Sequence, residues 1–161
     1  VKYCENEKSF HVYWERVYLQ NKPDTGPFTF SASLFQDGDI VFTYYYIPIP
    51  ITQIEDSTHP VKVGISDAYI VDKTVFQARR KTIFEYHRVN FPGMEIKNFT
   101  KIKLKPLLTC HMLTDCQSCL QTEISFTCYW CPTLNRCSSG VDRKRQEWTN
   151  HGRFFAFFAL I

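Results

Sequence analysis

The chain is poor in the features that most catalytic folds display. It holds only six Gly and two Met in 161 residues. It contains no Gly-rich phosphate loop, no His-x-x-x-His pair and no Ser in a recognisable nucleophile elbow. His11, His59 and His87 stand singly, as structural or surface histidines do. These absences argue against an enzyme and against a bound cofactor. A catalytic β domain stays open only as a third reading, which needs a pocket that gathers His, Asp or Glu. No run approaches the ~20 apolar residues that a membrane helix needs. Net charge is only +3, with Lys and Arg spread along the chain, so nucleic acid is not an expected partner. The sequence starts at Val1 with neither initiator Met nor signal peptide, and is therefore taken as a fragment.

What is present is apolar and aromatic. Hydrophobic residues make up 44% and aromatic residues 16%, enough for a packed core and in favour of β structure. The length fits one domain, or one domain plus a small module. Phe10, Val12 and Trp14 recur at period 2, a strand signal. Lys22 to Pro27 has turn composition. Phe28, Phe30, Ala32 and Leu34 alternate with Thr29, Ser31 and Ser33, as in a strand with one wet face. Asp37-Gly38 then leads into Ile40 to Ile47, a hairpin with an expected type I′ turn. Pro48 and Pro50 end that strand, and 51–60 is expected to be a surface loop.

Val61 to Ile65 reads as a strand, with Gly64 at a bulge or a close backbone approach. Residues 71–81 are ambiguous and could form a short helix with Arg79-Arg80-Lys81 as its basic end. Ile83 to Val89 is again β-like, and Pro92-Gly93 is a turn. Ile102 and Leu104 alternate with Lys101, Lys103 and Lys105, the pattern of a lysine-protected edge strand. About six or seven strands are expected. Asn98-Phe99-Thr100 fits the N-glycosylation tripeptide.

Six of the seven cysteines fall between Cys110 and Cys137. Two readings compete. Cys116, Cys119, Cys128 and Cys131 form two Cys-x-x-Cys pairs that could hold tetrahedral zinc in an intracellular adaptor. The eight-residue spacer is short for a zinc ribbon, and Cys110 and Cys137 would stand idle. Disulfides would use all six and would stabilise a module too small to bury much surface. Trp130 then supplies the module's core. Arg143-Lys144-Arg145 is read as a solvated face, with an anionic-partner patch as the alternative. A redox role for either pair lacks the βαβ context it needs.

The spacing Cys-x5-Cys-x2-Cys-x8-Cys-x2-Cys-x5-Cys, with Trp130 in Cys-Tyr-Trp-Cys and with Arg136-Cys137-Ser138-Ser139-Gly140, resembles a plexin-semaphorin-integrin (PSI) repeat. With Asp142 to Trp148 it resembles the plexin domain-containing proteins, also called the tumour endothelial marker 7 family. Trp14 to Gln20, Phe28-Thr29-Phe30, Asp37-Gly38, His59 to Lys62, Gly64 to Ala68 and Ile83 to Arg88 are similar to that family's nidogen-like domain. The resemblance implies a mainly β fold, with an antiparallel sheet domain followed by a small disulfide-rich PSI module. It places the C-terminal part of a nidogen-like domain at 1–106 and a truncated repeat at 109–152. The remaining 153–161 are an atypical hydrophobic tail.

The resemblance also implies function. The chain would be a non-enzymatic recognition or adhesion fragment of a single-pass cell-surface receptor, glycosylated at Asn98. It would lie on the extracellular side of the plasma membrane, with the repeat as a spacer that orients the β domain. The partner would be a matrix or secreted protein. Carried onto this chain, the PSI pairing joins Cys110 with Cys128 and Cys119 with Cys137. The family's next cysteine follows a His-Gly, where Arg153 stands here, so Cys116 and Cys131 are expected to be unpaired and reactive. Cys4 is expected to be a buried free thiol. The tail is uncharged after Arg153 and aromatic, like an aggregation-prone segment. It is read as an alternative exon, intron read-through or a gene-model error, with a packing strand as the rival.

Overall fold

The structure is a computed structural model, and it describes residues 1–54, 63–91 and 96–151. Two compact units form. One comprises Val1–Val63 and Phe91–Leu107, the other Gly64–Asn90 and Leu108–Ile161. The architecture is mainly antiparallel β followed by a small disulfide-rich region.

The first unit is a five-stranded antiparallel sheet in the order β1-β2-β3-β4-β7. Its strands are β1 (Lys2–Asn6), β2 (Ser9–Val17), β3 (Phe28–Phe35), β4 (Ile40–Tyr46) and β7 (Thr100–Leu104). β7 occupies an edge, where its lysines interrupt pairing with further chains. β1 was not expected, and it pairs with β2 from Lys2↔Tyr13 to Asn6↔Ser9.

Register explains the aromatic spacing. Trp14 faces Phe30, which faces Tyr44 across the next strand. Trp14 and Phe30 stack at 5.2 Å, and Phe30 lies 6.2 Å from Tyr44. Offset ring pairs of this kind add about 0.5–1.5 kcal/mol beyond simple burial.

The expected wet face of β3 is not wet. Ser31 and Ser33 are only 3% and 8% exposed, whereas Phe10 and Leu34 stay 37% and 48% exposed. The serines are small and lie beneath larger neighbours. The Ser31 hydroxyl donates to Tyr45 Oη at 3.4 Å, and Ser33 Oγ meets His11 Nδ1 at 2.7 Å.

The Asp37-Gly38 hairpin forms, but not with a two-residue type I′ turn. The Gly38 N–H donates to Phe35 O, and the Phe35 N–H donates to Asp39 O, each at 2.9 Å. Gly38 alone has positive φ, at 88°. This is a three-residue loop closing on a left-handed glycine. Asp37 Oδ1 accepts from the Asp39 N–H at 3.0 Å, which favours the longer loop.

In the second unit, residues 71–81 are strand and not helix. β5 (Gly64–Val75) and β6 (Ala78–Asn90) form one long hairpin. Val71, Val75, Thr74 and Thr82 carry branched β-carbons, which suit a pleated strand better than a helix. Gly64 lies at a close approach. A Cβ there would stand 1.9 Å from Val89 O, on a backbone with φ of 152°.

Among the described residues, the remaining elements of this unit are a 3-10 turn (Cys110–Met112), α1 (Cys116–Gln121), β8 (Tyr129–Cys131), β9 (Arg136–Ser138) and α2 (Arg145–His151). The expected loop beyond 54, the start of the strand at Val61-Lys62, the Pro92-Gly93 turn and the 153–161 tail lie outside the described residues. The sequence boundary near 106–109 follows composition. The compact units instead follow contacts, and they group the β5–β6 hairpin with the cysteine region.

Replacing Gly64 with Ala should destabilise the hairpin by about 2–4 kcal/mol, through the clash and the unfavourable φ together. Denaturant unfolding of the G64A chain checks this, and a loss below about 0.5 kcal/mol would show that the strand end yields freely.

Candidate functional site

The cysteine region builds its core from its own cross-links. Cys110 is bonded to Cys128 and Cys119 to Cys137, each pair 18 residues apart in sequence. The two loops interleave, because 119 lies inside the first and 128 inside the second. Cys110, Cys119, Trp130 and Cys137 form one buried cluster, with Leu113, Ile124 and Phe126 packed against it. Trp130 sits on β8 directly opposite Cys137 on β9. The ring therefore fills the space around the second disulfide.

Local chemistry sets each piece. Asp115 caps α1, accepting from the Ser118 N–H at 2.8 Å. The Ser118 hydroxyl holds the Asp115 carboxyl below its ordinary value, with the Ser118 N–H acting in the same sense. Asn135 takes positive φ in the tight turn between β8 and β9. Asp142 organises the approach to α2. It accepts from the Ser138 hydroxyl at 2.5 Å and from the Lys144 N–H at 2.7 Å. Trp148, on α2, is 9% exposed and lies under the Arg136 guanidinium, 5.8 Å from the ring centre.

The basic triplet is not a bare solvated face. The Arg145 guanidinium donates to Gly140 O at 2.6 Å, and Lys144 stands 3.8 Å from Glu147. Arg143 donates to both carboxylate oxygens of Asp67 on β5, each at 2.9 Å. Gln146 reaches the same strand. Its amide accepts from the Asp72 N–H and donates to Asp72 O, both at 3.0 Å, and so occupies part of the β5 edge. His87 on β6 packs edge-on against Phe126 at 5.3 Å.

Tyr86 completes this junction by donating to Asp67 Oδ2 at 3.1 Å. Burial pushes the Tyr86 phenol up to about 12, and the Asp67 carboxylate adds to the rise. Burial alone would raise the Asp67 carboxyl. The Ala68 N–H, the Arg143 guanidinium and the Tyr86 hydroxyl together outweigh it and hold that carboxyl below its ordinary value.

The three remaining cysteines differ. Cys116 is exposed and free. Cys131 is also free but fully buried, at 0% exposure, so the expectation that it is reactive is corrected. It lies on β8 opposite Arg136, on the other face of the strand from Trp130, and its burial shields the sulfur from solvent. Cys4 is exposed on β1, not buried, because β1 is an edge strand all five of whose residues are exposed. Of the four sulfurs in the zinc reading, Cys119 and Cys128 are held in disulfides with Cys137 and Cys110. That withdraws two of the four ligands. The sulfurs of Cys110, Cys128 and Cys137 cluster within 4.8 Å, but all three are oxidised.

The other expected residues lie apart from this region. Asn98, in the first unit, is exposed, and its side-chain oxygen accepts from the Ile47 N–H at 2.6 Å. A pocket of about 130 Å³ beside it is lined by Ile47, Pro48, Ile49, Pro50, Ile96, Lys97 and Asn98, none of which is His, Asp or Glu. His11 is bracketed by Ser9 and Ser33, each at 2.7 Å, with no carboxylate in the set. Sequence reasoning missed the Asp67–Arg143 and Asp72–Gln146 contacts. They join positions 76 and 74 residues apart, and no local pattern marks them.

Residues 109–153 match the family model of the plexin repeat, the PSI family. No solved structure matches the chain. A plexin repeat is an extracellular domain type, and two disulfides fit an oxidising compartment.

Two measurements follow from the geometry. In the folded chain, a maleimide should label Cys4 and Cys116 rapidly and Cys131 only on unfolding, which peptide mass mapping resolves. Rapid labelling of Cys131 would show that the module opens. Phenolate absorbance should show one tyrosine titrating near 12 that Tyr86→Phe removes. The linkage has a sign at each end of the scale. The raised Tyr86 pKa stabilises fully below the ordinary tyrosine value, and this is lost as pH climbs toward 12. The lowered Asp67 pKa stabilises above the ordinary aspartate value, and this is lost as pH falls through the folded one.

Proposed function

We propose that this chain is a non-enzymatic recognition fragment of a cell-surface, receptor-like protein of the plexin domain-containing family. The observation that carries the reading is the plexin-repeat match on a region whose core is two interleaved disulfides. On this reading the cross-linked repeat is a stiff spacer, and the five-stranded sheet is the later part of a nidogen-like domain. The ligand is an extracellular matrix or secreted protein. The parent protein is anchored by a single membrane span, and among the described residues here no helix is long and apolar enough to be that span.

Glycosylation at Asn98 belongs to the same reading. Its side-chain oxygen is engaged by Ile47, which leaves the amide nitrogen, the atom that carries a glycan, on an exposed residue. The absence of catalysis is likewise part of the proposal.

The test is to secrete the chain from mammalian cells behind a heterologous leader and to measure binding to purified matrix proteins. Saturable binding that disappears after reduction is expected, together with a glycan mass shift abolished by Asn98→Gln. Stoichiometric zinc with every cysteine reduced, or no saturable protein binding in the oxidised state, would overturn the reading.

A further inference from the structure

The β5–β6 hairpin ends in a concentration of positive charge that the junction with the cysteine module does not use. Between Asp72 and Lys81 stand Lys73, Arg79, Arg80 and Lys81 against one carboxylate, so 4 − 1 gives +3. The entire chain carries 19 − 16, also +3. The tip's ten residues thus carry as much net charge as the entire chain.

The register makes the concentration physically costly. Lys73 lies directly opposite Arg80, so two cations share one face as a cross-strand pair. Like charges so placed stand about 4.5–5.5 Å apart at Cβ and destabilise a hairpin. On the other face, Asp72 is opposite Lys81, but its carboxylate is taken by Arg79. That guanidinium reaches it at 3.0, 2.8 and 2.5 Å. Among the described residues, Lys73 and Arg80 have no acidic partner within ion-pair distance.

The turn itself is strained. Phe76 and Gln77 both have positive φ, at 49° and 67°, where a type I′ turn prefers Asn and Gly. A bulky residue at positive φ is an outlier. Phe76 is also 98% exposed. Strain, an uncovered aromatic ring and an uncompensated cation pair all coincide at one tip, and none of them contributes to packing.

We infer that the Lys73–Lys81 hairpin tip is a docking element for a sulfated glycosaminoglycan. Charge complementarity selects the class of partner. A chain of closely spaced sulfates neutralises Lys73 and Arg80 together and removes their repulsion. Association then releases counterions and gains free energy as salt is lowered. Phe76 sets its ring against the apolar C–H face of a pyranose at the turn. An anionic bilayer has similar charge, but its acidic lipids line the cytoplasmic leaflet. The inference rests on the extracellular placement proposed above and extends it from protein ligands to a polysaccharide.

The test titrates the full chain with a heparin fragment at physiological salt. Lys73→Gln with Arg80→Gln should weaken binding about tenfold and flatten its salt dependence. Phe76→Ser should weaken it about threefold, since an exposed aromatic contact is worth less than a charge pair. The control, Lys101→Gln with Lys105→Gln, removes the same charge from the sheet and should change binding less than about twofold. Near-ultraviolet circular dichroism establishes that each variant stays folded. Equal losses in both double variants would reduce the effect to net charge and overturn the site. So would undiminished binding to desulfated heparin, or a preference for phosphatidylserine vesicles. Matrix proteins freed of glycosaminoglycan test the protein-ligand reading separately, so the two can fail independently.

Discussion

The second unit depends on two disulfides whose loops cross. Among its described residues the cysteine module has two α-helices of six and seven residues, one 3-10 turn and two strands of three, too little regular structure to bury a core unaided. Closing an 18-residue loop restricts the unfolded chain by about 3 kcal/mol, on the entropic account of cross-linking. Interleaving makes the links cooperative in space. Cys119 stands within the loop closed by Cys110 and Cys128, and its partner Cys137 stands opposite Trp130. The half-cystines are thus both cross-link and core, which is why three of them share a buried cluster with a single tryptophan.

That cluster gives the β5–β6 hairpin something to hold. A two-stranded ribbon alone is marginal in water. Here Arg143, Gln146 and Phe126 of the module engage Asp67, Asp72 and His87 of the hairpin. The contacts lie toward the hairpin's base and middle. The distal end, from Lys73 to Lys81, is left with exposed cations and Phe76. Stability is concentrated at one end of the ribbon and unsatisfied charge at the other, as a presented binding loop on a rigid scaffold requires.

Much of the sheet was legible in the sequence because period 2 is a strong signal over short strands. Phe28 to Leu34 and Ile40 to Tyr46 announced themselves, and the lysines of 101–105 marked an edge. What alternation could not say was which face is covered. Ser31 and Ser33 are buried by Tyr45 and His11, and only tertiary packing decides that. Residues 71–81 were ambiguous because the turn at Phe76-Gln77 lacks the Gly or Asn that marks a hairpin. For the cysteines, spacing revealed the class of module. Six cysteines allow 15 pairings, so the links themselves needed the resemblance to a known repeat. The shielding of Cys131 and the bareness of Cys4 were beyond sequence, since the first depends on tertiary packing over a short ribbon and the second on β1 lying at a sheet edge.

The central claim is that the cysteine region is an oxidised, cross-linked module. Proteolysis of the non-reduced chain, with free thiols alkylated beforehand, tests it directly by mass spectrometry. The account predicts peptides joining Cys110 to Cys128 and Cys119 to Cys137, with Cys4, Cys116 and Cys131 carrying the alkyl label once the chain is unfolded. A Cys116–Cys131 link, or six alkylated cysteines between 110 and 137, would contradict it.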